Sequence, residues 1–153
     1  MSNTIEVATA DFAVAGPGYV LTSGGVGSCV VVCLYDAGKK IGALCHIMLP
    51  KHQSDSALNP LRFADTALTL ALQKLVEMGA TPTQLTAQLF GGAHMFQGLG
   101  PFINQIGDQN VQAAQQFLGE RHIPIERTDT GGNAGRSVSF ATDSGNATVT
   151  TKV

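Results

Sequence analysis

The clearest hydrophobic pattern in the sequence is a pair of apolar runs in its first third. The runs CVVVCLY (29–35) and KIGALCHIML (40–49) are rich in Val and Ile and are joined by DAGK. This pattern predicts a β-hairpin whose two strands are buried on both faces. Shorter apolar segments predict further strands at 5–9, 18–23, 84–90, 123–128, 136–142 and 146–152.

Two other segments carry apolar residues at helical spacing. The first covers 60–78, with Asn59 as N-cap, Pro60 at the first helical position and Gly79 as the C-terminal stop. The second covers 107–119. Because strands and helices do not alternate strictly, we predict an α+β fold of packed mixed β-sheets flanked by two main helices. The apolar stripes are Ala64, Leu68, Leu72 and Leu75 in the first helix and Val111, Ala114 and Leu118 in the second.

Composition narrows the class of protein. A chain of 153 residues with 44% hydrophobic residues suits a single domain, 1–153. The net charge of −2 without a basic cluster argues against nucleic acid as a partner, and no apolar run is long enough to span a membrane. The N-terminus lacks the pattern of a signal peptide, so we predict a cytoplasmic protein. Three cysteines do not suggest a disulfide framework there, and a free thiol can react.

The segment before Cys29 is a candidate for thiol chemistry. Glycines at 24, 25 and 27 allow backbone N–H groups of Gly27 and Ser28 to form a nest for a thiolate or an oxyanion. His46 lies on the neighbouring strand of the predicted hairpin, within reach as a base. Ser23 and Thr22 are both candidates to orient its imidazole, and spacing alone does not choose between them.

Several alternatives compete with this interpretation. Cys29 and His46 are equally compatible with a buried cysteine and a satisfied core histidine. Cys33 and Cys45 lie inside apolar strands, and we expect them to be inert core residues. A zinc site is disfavoured because Cys45 and His46 point to opposite faces of a strand. The arginine of a cysteine phosphatase, a P-loop lysine and a G-x-S-x-G elbow are all missing, so we predict thiol acyl transfer without a metal or cofactor.

Six stretches in order resemble the CheD family of bacterial chemotaxis proteins, from about Val20 to Phe140. The first two, GVGSCVVVCLYD and HIMLP, contain the cysteine and the histidine. The later ones resemble the family patterns R-[YF]-x-D-x-A, G-G-A-x-M-F, I-G-x-R-N and D-x-G-G-x-x-G-R-x-V-x-F. In this chain they read RFADTAL, FGGAHMF, IGDQNV and DTGGNAGRSVSF.

The resemblance implies a receptor-modifying glutamine deamidase with a fold similar to the catalytic domain of cytotoxic necrotizing factor. Its substrate would be the cytoplasmic domain of methyl-accepting chemoreceptors, and glutamyl methyl esters are a further possible substrate. Cys29 would be the nucleophile and His46 the general base. The family's third residue is a threonine six positions before the cysteine, where this chain has Ser23, with Thr22 beside it as the fallback.

The resemblance also implies a second class of function. Family members often pair with a CheC-type phosphatase, so the chain could instead be a regulatory binding module with weak or no catalysis. The presence of the cysteine, the histidine and a hydroxyl favours the enzyme. Gln109 stands where the family motif has arginine, which removes a cation from a surface or an ion pair.

Overall fold

A computed structural model describes residues 3–48, 63–94 and 101–152, with the side chains of 101–105 and 152 left aside. Within these residues there are two α-helices, α1 (Ala64–Glu77) and α2 (Pro101–Glu120). Neither is long and apolar enough over the described residues to cross a membrane. The strands are β1 (Asn3–Glu6), β2 (Asp11–Ala15), β3 (Tyr19–Val26), β4 (Val30–Asp36), β5 (Ile41–Ile47), β6 (Leu85–Gly91), β7 (Ile125–Thr130), β8 (Gly135–Ala141) and β9 (Ala147–Lys152).

The strands form two mixed sheets. One has four strands in the order β1-β3-β8-β9, and the other has five in the order β2-β5-β4-β6-β7. β1 pairs with β3 and β6 with β7 in parallel, whereas the remaining pairs are antiparallel. The predicted α+β class with mixed sheets and two main helices is therefore confirmed. Strand β2 was not predicted; it is a five-residue strand at one edge of the larger sheet.

The predicted hairpin is formed by β4 and β5, and every residue of both strands is buried. Val30, Val32 and Leu34 pack with the apolar stripes of the helices. The alternate residues Val31 and Cys33 face the four-stranded sheet. Each strand thus has protein on both sides, which explains its uninterrupted apolar sequence.

Helix α1 ends as predicted and begins later than predicted. Gly79 has a φ of 107°, and the N–H groups of Gly79 and Ala80 donate to the carbonyls of Val76 and Leu75. This Schellman arrangement needs a residue that tolerates positive φ. The helix begins at Ala64, after an extended Phe63 that makes no side-chain cap bond. The predicted cap at Asn59 and Pro60 lies outside the described residues.

Helix α2 begins at Pro101, six residues before the predicted start at 107. Proline suits a first helical turn because it has no N–H to leave unpaired. Ala114 and Leu118 are buried as predicted, and Val111 packs at the edge of the same cluster. Both helices therefore cover one face of the five-stranded sheet, while the four-stranded sheet covers the other.

Candidate active site

Ser23 and His46 meet between the two sheets. Ser23 comes from β3 of the four-stranded sheet and His46 from β5 of the five-stranded sheet. The Ser23 Oγ atom lies 2.6 Å from His46 Nδ1. Both side chains are buried, with 1% and 0% of their surface exposed. The pair is thus a fixed internal contact that links the two sheets.

The second partner of the serine hydroxyl settles where the protons lie. Ser23 Oγ donates to the carbonyl oxygen of Val7 at 2.7 Å, and a carbonyl can only accept. Because the hydroxyl has one hydrogen, it must accept from His46 rather than donate to it. His46 therefore carries its proton on Nδ1 when neutral, which leaves the lone pair on Nε2.

The Nε2 atom of His46 is free to act as a base. It is buried and has no hydrogen-bond partner among the residues that the structure describes. Burial lowers the pKa of His46 from its ordinary value of 6.5, because desolvation penalises the imidazolium ion. At neutral pH the ring is therefore uncharged and can take up a proton.

Cys29 lies in a bend immediately before β4. In the β4–β5 ladder the residue opposite His46 is Val31, two positions after the cysteine. Cys29 is thus one diagonal step from His46 rather than directly opposite it. Diagonal neighbours in a sheet lie roughly 7–8 Å apart, which long side chains can still span. No hydrogen bond joins the thiol to Nε2 in this state.

The resting thiol is protonated. Burial raises the pKa of Cys29 above its ordinary value, and a hydrogen bond from its own backbone N–H offsets this only in part. With His46 neutral as well, the two groups form a neutral pair rather than a thiolate and an imidazolium ion. The chemistry open to such a pair is attack by sulfur with simultaneous transfer of its proton to a base.

The loop that carries Cys29 is anchored through three successive carbonyls. The Gly27 carbonyl accepts from the N–H of Ala93 at 3.0 Å, and that of Cys29 accepts from Gly92 at 2.8 Å. Between them, the Ser28 carbonyl accepts from the Asn110 side chain at 3.0 Å. These bonds fix the backbone on either side of Cys29.

The glycine-rich approach to this loop is part of β3 rather than a turn after it. The strand continues to Val26, three residues beyond the predicted end, with a break in register between Ser23 and Val26. Gly25 has a φ of 64°, and it alone of the glycines at 24, 25 and 27 takes a positive φ. A bulge of this kind redirects the chain next to a site.

Gly91 allows β6 to lie against the loop that carries Cys29. Its φ is 111°, and a Cβ atom there would overlap the Cys29 carbonyl oxygen and lie 2.7 Å from Val26 Cγ1. Gly107 of α2 is similarly constrained, since a Cβ would lie 2.7 Å from the Gly92 carbonyl oxygen. Only glycine lets strand, loop and helix approach this closely.

The other residues singled out in the sequence lie apart from this pair. Thr22 neighbours Ser23 on β3, and its side chain points away from His46 because strand residues alternate. Cys33 and Cys45 are 1% and 0% exposed, and burial raises the pKa of each thiol, that of Cys45 to about 12. No group of metal-binding side chains occurs among the residues that the structure describes.

Two buried polar residues complete the surroundings. Arg136 forms an ion pair with Asp129 at 3.2 Å and also donates to the carbonyl of Gly131. No role was predicted for Asn110. It lies in the IGDQNV motif, where the only difference from the family pattern is Gln109 in place of arginine. Nothing in the helical period marks Asn110 as functional.

The family model and the relatives found by sequence agree on one family. The model of the family described as CheD chemotactic sensory transduction matches residues 48–151. A protein of Clostridium novyi named probable chemoreceptor glutamine deamidase CheD is 43% identical over 92% of this chain and 88% of its own length. A relative of the same name from Syntrophomonas wolfei is 41% identical over 99% of this chain and 95% of its own.

The relatives extend the match beyond the family model. Ser23, Cys29 and His46 precede residue 48, but the Syntrophomonas alignment covers almost the whole chain. Among solved structures, a hypothetical protein of Bacillus licheniformis, YfiH, aligns with a TM-score of 0.45 and 13% identity over 74% of this chain and 47% of its own. The family match and the relatives at about 40% identity together show that this chain belongs to the CheD family.

Proposed function

We propose that this protein deamidates glutamine side chains on the cytoplasmic helices of chemoreceptors, converting them to glutamate. The names of its relatives support the substrate class. The observation that carries the chemistry is the buried His46. Ser23 fixes its Nδ1 atom, and its Nε2 atom is unpaired among the described residues. Its strand pairs with β4, which begins directly after Cys29.

The first half-reaction forms a thioester. Cys29 Sγ attacks the carbon of the substrate carboxamide while His46 Nε2 accepts the thiol proton. The resulting imidazolium ion donates that proton to the amide nitrogen as the carbon–nitrogen bond breaks. Ammonia leaves, and the glutamyl group remains bound to sulfur.

The second half-reaction releases glutamate. His46 Nε2 accepts a proton from water as the water oxygen attacks the thioester carbon. The carbon–sulfur bond then breaks, and the sulfur regains its proton from the imidazolium ion. A glutamyl methyl ester would follow the same route with methanol as the leaving group, so methylesterase activity is a natural companion reaction.

The supporting roles follow from the contacts. Ser23 would hold the imidazole in one tautomer and one orientation, as a third residue does in catalytic triads. Amide N–H groups of Gly27 and Ser28 would stabilise the negative charge on the substrate oxygen. The anchored carbonyls of this loop support that role, because they keep its backbone in one conformation.

The alternative is a regulatory module for a CheC-type phosphatase. The Ser23–His46 pair favours the enzyme. A buried Nε2 atom that is unpaired among the described residues costs stability, and a catalytic base gives that nitrogen a use. Since the substrate is the cytoplasmic part of a receptor, we place the protein in the cytoplasm.

The deciding experiment incubates the purified protein with a receptor cytoplasmic fragment and maps the peptides by mass spectrometry. We expect particular glutamines to gain about 1 Da as the amide becomes an acid. Free glutamine in place of the fragment should remain unchanged. An unmodified fragment together with tight binding to a CheC-type protein would overturn the proposal in favour of the regulator.

A further inference from the structure

Asn110 bridges the two segments that carry the proposed catalytic pair. Its Nδ2 atom donates to the carbonyl of Ser28 at 3.0 Å and to the carbonyl of Met48 at 3.0 Å. Ser28 immediately precedes Cys29, and Met48 lies two residues after His46. One buried side chain from α2 thus holds the backbone beside the nucleophile and the backbone beside the base.

The orientation of this amide is not arbitrary. Both of its contacts are carbonyl oxygens, which only accept, so the NH₂ group must face them and both of its hydrogens are used. The residue is fully buried at 0% exposure, and within the described ranges 3–48, 63–94 and 101–152 its Oδ1 atom has no hydrogen-bond partner. A core position selected for stability alone would not keep an unpaired buried acceptor, since an apolar side chain avoids that loss.

The backbone around Asn110 is adapted to this contact. Gly107 lies one helical turn earlier on α2, and its missing side chain lets the helix approach the carbonyls of Gly92 and Ala93. Those two residues in turn donate to the carbonyls of Cys29 and Gly27. The helix therefore meets the nucleophile loop both through the two residues that follow β6 and directly through Asn110.

We infer that Asn110 is a positioning residue that sets the separation of Cys29 and His46 by clamping the carbonyls of Ser28 and Met48. This inference rests on the proposed function, because it assumes that the sulfur and the imidazole act together. The pair lies one diagonal step apart and is not hydrogen bonded at rest, so its separation is not fixed by the strand ladder alone. The two hydrogen bonds of the Asn110 side chain restrict the distance between Cys29 and His46.

The test measures how fast iodoacetamide alkylates Cys29 in a double-mutant cycle. The four proteins are the wild type, Asn110→Ala, His46→Asn and the double variant, with Cys29 labelling followed by peptide mass spectrometry. His46→Asn removes the base and keeps a donor toward Ser23. We expect each single change to slow alkylation about tenfold and the double change to slow it no further, because residues that act through one contact are not additive.

Two further variants separate positioning from folding. Asn110→Asp keeps the volume of the side chain and turns both donors into acceptors, so it should behave like Asn110→Ala. Leu118→Ala, also buried on α2, removes core packing without touching either carbonyl and should leave the alkylation rate within about twofold. On the receptor fragment, kcat of both Asn110 variants should fall about a hundredfold with KM unchanged, as expected for a small displacement of reacting groups.

The outcomes distinguish this inference from the proposed function. If His46→Asn slows alkylation and both Asn110 variants label and turn over like the wild type, the clamp is wrong and the proposed chemistry stands. An Asn110→Ala effect of equal size with and without His46 would also overturn the clamp. If His46→Asn leaves alkylation unchanged, the sulfur and the imidazole are not coupled, and both proposals fail.

Discussion

The tautomer of His46 depends on the carbonyl oxygen of Val7, a residue outside all of the sequence motifs. The Ser23 hydroxyl donates to the Val7 carbonyl, and this leaves the hydroxyl only its lone pairs for His46. Sequence reasoning could propose Ser23, through its place six residues before Cys29, but could not exclude Thr22. The structure distinguishes the two residues, because side chains alternate along β3. The Ser23 hydroxyl points toward His46, and the Thr22 hydroxyl points away from it.

Replacing Ser23 tests this contact. Ser23→Ala removes the acceptor of the His46 Nδ1–H and the donor to Val7, both in a buried place, so kcat on the receptor fragment should fall about tenfold to a hundredfold. Ser23→Thr keeps the hydroxyl and is the matched control, and we expect it to retain most of the activity. Steady-state kinetics of the two variants make the comparison. Equal activity of Ser23→Ala and the wild type would show that the hydroxyl does not orient the base.

The elements of the fold were predictable where their patterns are long. The β4–β5 hairpin follows from its two long apolar runs. The end of α1 follows from Gly79, because glycine readily adopts the positive φ found there. Strand β2 was missed because five residues at a sheet edge carry too short an alternation. The diagonal step between Cys29 and His46 was missed because register is set by the whole ladder and not by the two residues.

A pair of glycine substitutions tests how tightly the elements around the loop are packed. Gly91→Ala places a methyl group against Cys29 at a φ of 111°, so we expect a loss of unfolding free energy of about 1–3 kcal/mol or more, together with lower activity. Gly119→Ala is the control, because nothing lies within 4 Å of its Cβ position on α2, and helix propensity predicts a gain of about 0.5–1 kcal/mol. Urea denaturation measures both changes. A Gly91→Ala protein as stable and active as the wild type would contradict the close approach.

At the scale of the whole molecule, the candidate site is a junction of three layers. The four-stranded sheet supplies Ser23, the five-stranded sheet supplies His46, and helix α2 supplies Asn110. Local sequence patterns predict the strands and helices of each layer. The way in which the three layers pack together depends on contacts between residues far apart in the chain. The motif resemblance supplied the proposed catalytic residues without showing this arrangement. Asn110 belongs to one of the motifs, but its contacts with both segments are visible only in the folded molecule.

The central claim is that the sulfur of Cys29 does the chemistry, and one comparison tests it directly. Glutamine-to-glutamate conversion on a receptor fragment is followed by peptide mass spectrometry for the wild type, Cys29→Ala and Cys33→Ala. Cys33 is a buried thiol with a strongly raised pKa and serves as the matched control. We predict that conversion persists in Cys33→Ala and is abolished in Cys29→Ala. Undiminished conversion by Cys29→Ala would contradict the assignment of the nucleophile and, with it, the thioester mechanism.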